Sequence, residues 1–406
     1  MLISAKAVLL GSGEVLVPGM VRVLGSRIIQ VAEDLSLRTG EERVVLEDSV
    51  LSPGLINTHV HLDYTGLRGQ LPATSFPAWV KEILRLKASL SRGSLEAALC
   101  EGFGLLARSG TTGVGNMESY PELLLLADRI PLRCWWFLEM IDLRPHVWSE
   151  EATFAVLRFF DQPPVPLGRL GLAPHAPYTA SPELYRLVRD SAQRFRLPVT
   201  THVAESPEEW TMFWEGDGEL LDLVSQAGRP RMAGRELSPL QWLDRIGGLT
   251  PGMLLVHLNY LCEADWTLLA TRAFPVVHCP KSHAFFSYAP FPLERMLSLG
   301  IPVCLGTDSL ASNDTLDLRE EIRQARHRHP GIAPKRWWEM VTATPARALG
   351  LRGALGEIRG GAWADLAAFR WRSGLDPWES CIESREEPLF LMVHGKVRKA
   401  EGRWLP

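Results

Sequence analysis

Between Leu51 and Asp308 the chain alternates short apolar, β-prone runs with longer segments of helical periodicity, and this restricts the fold more than any other feature. Eight runs read as strands: 51–59, Thr111–Met117, Leu132–Met140, Arg169–Pro174, Leu197–His202, Met253–His257, Phe274–His278 and Ile301–Asp308. Helices are expected among others over Ser94–Arg108, Pro182–Arg194, Cys262–Thr271 and Leu316–His327. Such alternation implies a parallel sheet covered by helices. Eight units predict a closed (β/α)8 barrel in preference to an open doubly wound sheet. The 406 residues exceed the roughly 250 of a plain barrel, so a second, smaller unit is expected. Residues 1–50 alternate apolar and polar between Gly and Ser clusters, which predicts a small antiparallel sheet. Ala364–Phe369 and Leu389–Val397 look alike, so one β unit assembled from both ends is expected. The longer loop Glu215–Leu243 is placed to cover a site.

Several of the strand-like runs end in metal-ligand residue types. Asn57-Thr58-His59-Val60-His61 puts two histidines two apart, and residues so spaced on a strand share a face. Later runs end at His202, His257 and Asp308. Barrel active sites gather at strand C-termini, so His59, His61, His202 and Asp308 form a candidate nitrogen and oxygen set for one divalent metal. No cysteine is placed to join them, which suits zinc or iron(II). Such an ion lowers the pKa of a bound water toward neutrality and creates a hydroxide nucleophile. Glu205, three residues past His202, is placed to shuttle a proton, and His257 to orient the water or stabilise developing charge. Each of these residues alone has a plainer reading. His257 can be a satisfied buried histidine, Asp308 a cap of the turn that follows, and Glu205 a helix N-terminal carboxylate. Their joint occurrence in strand-end register points to an enzyme.

Composition excludes other classes. A net charge of −4 gives no reason to expect nucleic acid or an anionic membrane as partner, and no apolar run reaches the roughly 18 residues of a membrane span. The start, Met1–Met20, lacks a basic n-region and does not read as a signal peptide. Six scattered cysteines without C-x-x-C spacing predict reduced thiols in a cytoplasmic protein. His146, His327, His329 and His394 are expected to face solvent.

The ordered series Pro53-Gly54-Leu55-Ile56-Asn57-Thr58-His59-Val60-His61-Leu62, Ala173-Pro174-His175-Ala176-Pro177-Tyr178-Thr179, His202-Val203-Ala204-Glu205, Val256-His257, His278-Cys279-Pro280-Lys281-Ser282, Gly306–Asn313 and Thr344-Pro345-Ala346 resembles the amidohydrolase superfamily. Within it, the branch of cytosine, guanine, adenosine-derivative and chlorotriazine hydrolases is the most similar. The resemblance covers nearly the whole chain. It implies a distorted (β/α)8 barrel over 51–354 and a composite β-sandwich of 1–50 with 355–406. It also implies metal on His59, His61, His202 and Asp308, with Glu205, His257 and Asp308 in proton transfer and water orientation. The fourth strand ends in Ala173-Pro174-His175, without the lysine that dinuclear relatives carboxylate, so one metal ion is expected. His175 matches a purine-contacting histidine. Leu67-Arg68-Gly69, His61-Leu62-Asp63-Tyr64 and Ser75-Phe76-Pro77-Ala78-Trp79 look like deaminases of adenosine derivatives, including the aminodeoxyfutalosine group of an alternative menaquinone route. Pro77-Ala78 and His283 depart from the acidic residue and the Asn usual there. Trp79, Arg144 and Ser309 join His175 as candidate substrate contacts, Arg144 reading either as a grip on a substrate carboxylate or, more plainly, as a solvated loop arginine. The function implied is metal-dependent hydrolytic deamination of an aminated heteroaromatic ring on a small-molecule substrate. The competing readings are a chlorotriazine-type or cyclic-amide hydrolase, and a non-catalytic scaffold barrel. Analogy with the family adds a homodimer.

Overall fold

A computed structural model describes residues 1–143, 167–230, 236–400 and 402–405. Eight parallel strands form two four-stranded sheets, each in sequential order. The first holds β1 (Leu55–Val60), β2 (Thr111–Glu118), β3 (Arg133–Met140) and β4 (Gly168–Pro174). The second holds β5 (Thr200–Val203), β6 (Leu254–His257), β7 (Val276–His278) and β8 (Val303–Leu305). The sheets touch at both seams. Leu172 bridges Val199 between β4 and β5. At the other seam the Thr58 hydroxyl donates to the Leu305 carbonyl at 2.6 Å, and the Thr307 amide donates to the His59 carbonyl at 3.1 Å.

Burial on both faces explains the sequence of these strands. On β3, Trp135 and Phe137 pack inward with Ile56, Val256 and Val277. The alternate Cys134, Trp136 and Leu138 pack outward in the helix-side core with Leu99 and Phe103. Helices occupy Arg92–Arg108, Pro182–Phe195, Glu263–Arg272 and Leu318–Arg326, close to their expected bounds. Three have a side-chain N-cap at their first turn, from Ser91, Ser181 and Asp317. The segment 215–243 is not a plain loop: it contains helices Glu219–Gln226 and Pro239–Arg245.

Both ends of the chain combine in one nine-stranded sheet. Leu2–Leu9 is antiparallel to Gly19–Leu24 but parallel to Arg43–Pro53, which corrects the all-antiparallel expectation. Period-two alternation is the same for either direction, so the pattern could not tell them apart. Arg43–Pro53 also pairs with Leu366–Arg370, and the inner faces share a cluster that includes Ile3, Val21, Leu51, Leu366 and Phe390. The first expected strand, 51–59, is therefore two: Pro53 ends the terminal sheet and Leu55 begins β1. Buried Arg133 on β3 ties the units together by donating to both carboxylate oxygens of Asp365 at 3.0 and 3.2 Å. No helix among the described residues is long and apolar enough to cross a membrane.

Candidate active site

Strand C-termini carry the candidate side chains into one place. His59 lies in β1 with His61 just beyond it, His202 is in β5, His257 ends β6, and Asp308 follows β8. The backbone bends sharply to aim them. Ala204, His257, Leu258 and Asp308 have φ of 53, 76, 50 and 55°, a left-handed region that costs a non-glycine residue about 1–3 kcal/mol. Asn57 holds the β1–β8 seam, donating to the Thr307 hydroxyl at 2.7 Å while its carbonyl accepts from the His59 and Thr307 amides, each at 3.3 Å.

Three imidazoles converge. The Nε2 atom of His202 is 3.2 Å from that of His59 and 3.3 Å from that of His61. Nitrogens bound at about 2.0–2.1 Å to a tetrahedral ion lie about 3.3–3.4 Å apart, so the cluster has the span that zinc requires. Burial first, then neighbouring histidines, lowers the pKa of His59 well below its ordinary value. Burial likewise lowers His61, against an opposing pull from Glu139. Both are neutral near pH 7, the state that offers a lone pair. The Nδ1 of His202 faces the His175 carbonyl at 2.9 Å, which fixes its proton there and leaves Nε2 for a metal. Asp308 Oδ1 lies 3.8 and 3.9 Å from the Nε2 atoms of His59 and His61. The Asp308 carboxylate is steered by the Ser282 hydroxyl at 2.7 Å and the Ser309 amide at 2.8 Å. The donor set therefore fits one divalent ion.

Glu205, His257 and Asp308 form a second group whose polar atoms lie within 4.8 Å of one another. Glu205 Oε1 is 3.6 Å from His257 Nε2, a buried nitrogen with no hydrogen-bond partner. Glu205 sits just before the helix Pro207–Trp214, whose cap is Ser206. Its amide donates to Glu209 at 2.8 Å and its carbonyl accepts from Asn259 at 2.9 Å. His283, which stands where related sequences usually have Asn, backs this loop, with Nδ1 3.3 Å from Asn259 Oδ1. Burial, reinforced by Asp308 and Glu209, pushes the Glu205 carboxyl well above the usual range, which favours its protonated form and suits it to act as an acid.

These groups open on a cleft of about 1050 Å³, its mouth included. Its lining includes His61, His175, His202, Glu205, His257, Asp308 and Ser309, and an apolar wall from Phe76, Trp79, Ile83, Leu220 and Leu223. The segment expected to cover the site thus contributes the last two. His175 is held through Nδ1 to Thr179 Oγ1 at 2.6 Å, and burial lowers its pKa to about 3. The Ser309 hydroxyl is buried and unpartnered. Trp79 lends a ring face, since its N–H is directed to the Ala311 carbonyl at 3.3 Å. Arg144 and His146 lie outside the described residues. His327 is exposed and His394 half-buried, but His329 is buried against Glu294 at 2.7 Å, contrary to expectation.

Strand-end reasoning does not pick out Glu139, yet it lines the cleft. The signal was present as a lone carboxylate in the apolar run Cys134-Trp135-Trp136-Phe137-Leu138-Glu139-Met140. Lys87, which donates to the Tyr64 hydroxyl at 2.9 Å beside His61, carries no such signal.

The amidohydrolase family model matches residues 50–398. The chain belongs to the amidohydrolase family. This amidohydrolase is 32% identical to aminodeoxyfutalosine deaminase of Deinococcus radiodurans over 396 residues, covering 92% of this chain and 91% of the relative. It is also 32% identical over 332 residues to 5-methylthioadenosine/S-adenosylhomocysteine deaminase of Pyrococcus furiosus, covering 79% and 74%. Among solved structures, an adenosine deaminase from Xanthomonas campestris with bound zinc matches with a TM-score of 0.86 at 25% identity, over 100% of this chain and 94% of that one. Family and relatives make this amidohydrolase an enzyme of hydrolytic carbon–nitrogen bond cleavage.

Proposed function

We propose that this amidohydrolase removes ammonia from an aminated heteroaromatic ring, the adenine of a nucleoside derivative such as aminodeoxyfutalosine. The observation that carries the reading is the Glu205, His257 and Asp308 group facing a cleft beside three converged histidine nitrogens. The residues suit one zinc ion, on His59, His61, His202 and Asp308, which when bound would supply a water acidified toward neutral pH. Glu205 gives its proton to the ring nitrogen beside the amino-bearing carbon as water adds there. His257 steadies the incoming oxygen. Asp308 takes one proton from the adding water and passes it to the amino group, which departs as ammonia, and the proton released as the new hydroxyl becomes the ring carbonyl returns to Glu205. His175 holds a ring nitrogen, and Trp79 and Ser309 border the substrate. The same reading takes the two parallel sheets as halves of one distorted (β/α)8 barrel over 51–354, flanked by a β unit of 1–50 and 355–406.

The test is to assay zinc-loaded protein on adenosine, methylthioadenosine, S-adenosylhomocysteine and aminodeoxyfutalosine, following adenine absorbance and ammonia. Turnover of at least one nucleoside that is lost in His59→Ala and Asp308→Ala supports the reading. No ammonia from any of the four, or chloride release from a chlorotriazine in its place, overturns it.

A further inference from the structure

The end of β3 sets one carboxylate into the cleft wall that the chemistry above leaves unused. The Glu139 side chain is 3% exposed. Its Oε2 accepts from the Ser119 hydroxyl at 2.6 Å. Its Oε1 is buried without a hydrogen-bond partner, and the His61 Nδ1 that faces it, likewise buried and without one, stands at 3.8 Å, beyond hydrogen-bond reach. A buried acceptor without a donor is costly in a folded protein and calls for one from outside. An ionised carboxylate only accepts, so the missing partner is a hydroxyl or N–H.

Glu139 groups with the ring nitrogens of His175 and His202, all within 4.8 Å. A second metal ion does not fit this trio, because His202 has no nitrogen left for it. Its Nδ1 is turned to the His175 carbonyl and its Nε2 belongs to the three-histidine cluster. The Glu139 trio also shares no residue with the Glu205, His257 and Asp308 group. The donor that Glu139 awaits is therefore not the departing amine but a group carried near His175, and the wall that also borders the cleft is apolar at Phe76, Ile83 and Leu220.

We propose that Glu139 is a specificity residue whose free oxygen accepts a hydrogen bond from a sugar hydroxyl of the substrate, so that the site takes ribosyl over deoxyribosyl derivatives. This rests on the deaminase reading. The experiment compares kcat/KM of the wild type, Glu139→Ala and Glu139→Gln on methylthioadenosine and its 2′-deoxy and 3′-deoxy analogues, with bound zinc measured for each. The wild type should lose roughly 10- to 100-fold on at least one deoxy analogue, the range of a hydrogen bond to a charged group. Glu139→Ala should lose as much on the ribosyl substrate and cease to discriminate, with zinc unchanged at one per chain. Glu139→Gln, isosteric with the native side chain, should narrow the discrimination and serves alone if the alanine variant does not fold. Variants that keep the wild-type preference overturn the proposal while leaving the deaminase reading intact. So does an equal loss on all substrates together with zinc, or a second equivalent of metal that the variants lack. A wild type that deaminates no nucleoside overturns both.

Discussion

Gly306 is where β8 passes β1, and a single methyl group there tests whether that close passage builds the site. A Cβ at Gly306 would sit 2.8 Å from the His59 carbonyl oxygen, 2.9 Å from its Cβ and 3.1 Å from its nitrogen. Ordinary contacts begin near 3.4 Å, so the backbones must part by about 0.6 Å. The atoms that must yield also anchor the chemistry, for the Thr307 and Asp308 amides both donate to the His59 carbonyl, at 3.1 and 3.2 Å. Overpacking of this kind costs about 1–3 kcal/mol, and misplacing reacting groups by about 1 Å can cost roughly 100-fold in rate. Gly306→Ala is expected to lower Tm by a few degrees, reduce kcat by roughly 10- to 100-fold and weaken zinc retention. Calorimetry, metal analysis and steady-state kinetics read the three effects. Gly331→Ala is the control, because nothing lies within 4 Å of its Cβ. Wild-type Tm and kcat in Gly306→Ala would refute the reasoning.

Glu205→Gln should keep its zinc and lose about 100- to 10,000-fold in kcat, since only proton transfer is removed; an undiminished kcat would exclude the assigned role. Burial depresses the folded-state pKa of His59 and His61, so the stability of their neutral forms is full above the unfolded value of about 6.5 and is lost as pH falls toward the folded values. Tm should therefore drop between pH 7 and pH 5 as protons compete with metal, and a flat Tm over that window would contradict this. Arg133→Ala leaves the carboxylate of Asp365 buried without its cation, at a cost of about 3–5 kcal/mol. Its denaturation midpoint should fall well below wild type, and an unchanged midpoint would show that the pair does not join β3 to the terminal sheet.

The eight parallel strands were legible from the alternation of apolar runs with helical segments, and the convergence of His59, His61, His202, Glu205, His257 and Asp308 because several of those runs end in or beside metal-ligand residue types. The join at Pro53-Gly54 was not, since apolar residues continue from Val50 to Ile56 while the chain changes sheets. A Cβ at Gly54 would lie 2.2 Å from the Thr112 side chain, a closeness that composition cannot convey. His329 misleads for a similar reason: its neighbours Arg326, Arg328 and Pro330 suggest solvent, yet its partner Glu294 lies 35 residues earlier. Glu139 was concealed by strand periodicity, which says which face a residue takes but not what opens on that face.

The passage from Arg43–Pro53 straight into β1 has a consequence for how the enzyme is made. On the ribosome His59 and His61 emerge first, and the β8 end that they meet follows 250 residues later, by the separation of Asn57 from Thr307. Leu366–Arg370, which holds Ser49–Pro53 in register, comes later still. Pairings so distant in sequence form slowly, and the open edge of Arg43–Pro53 is meanwhile a surface for misassociation. A chain cut just before Leu366 would carry every candidate metal ligand and still lack the strand that steadies the first two. Owning the ligands is therefore not the same as owning the site.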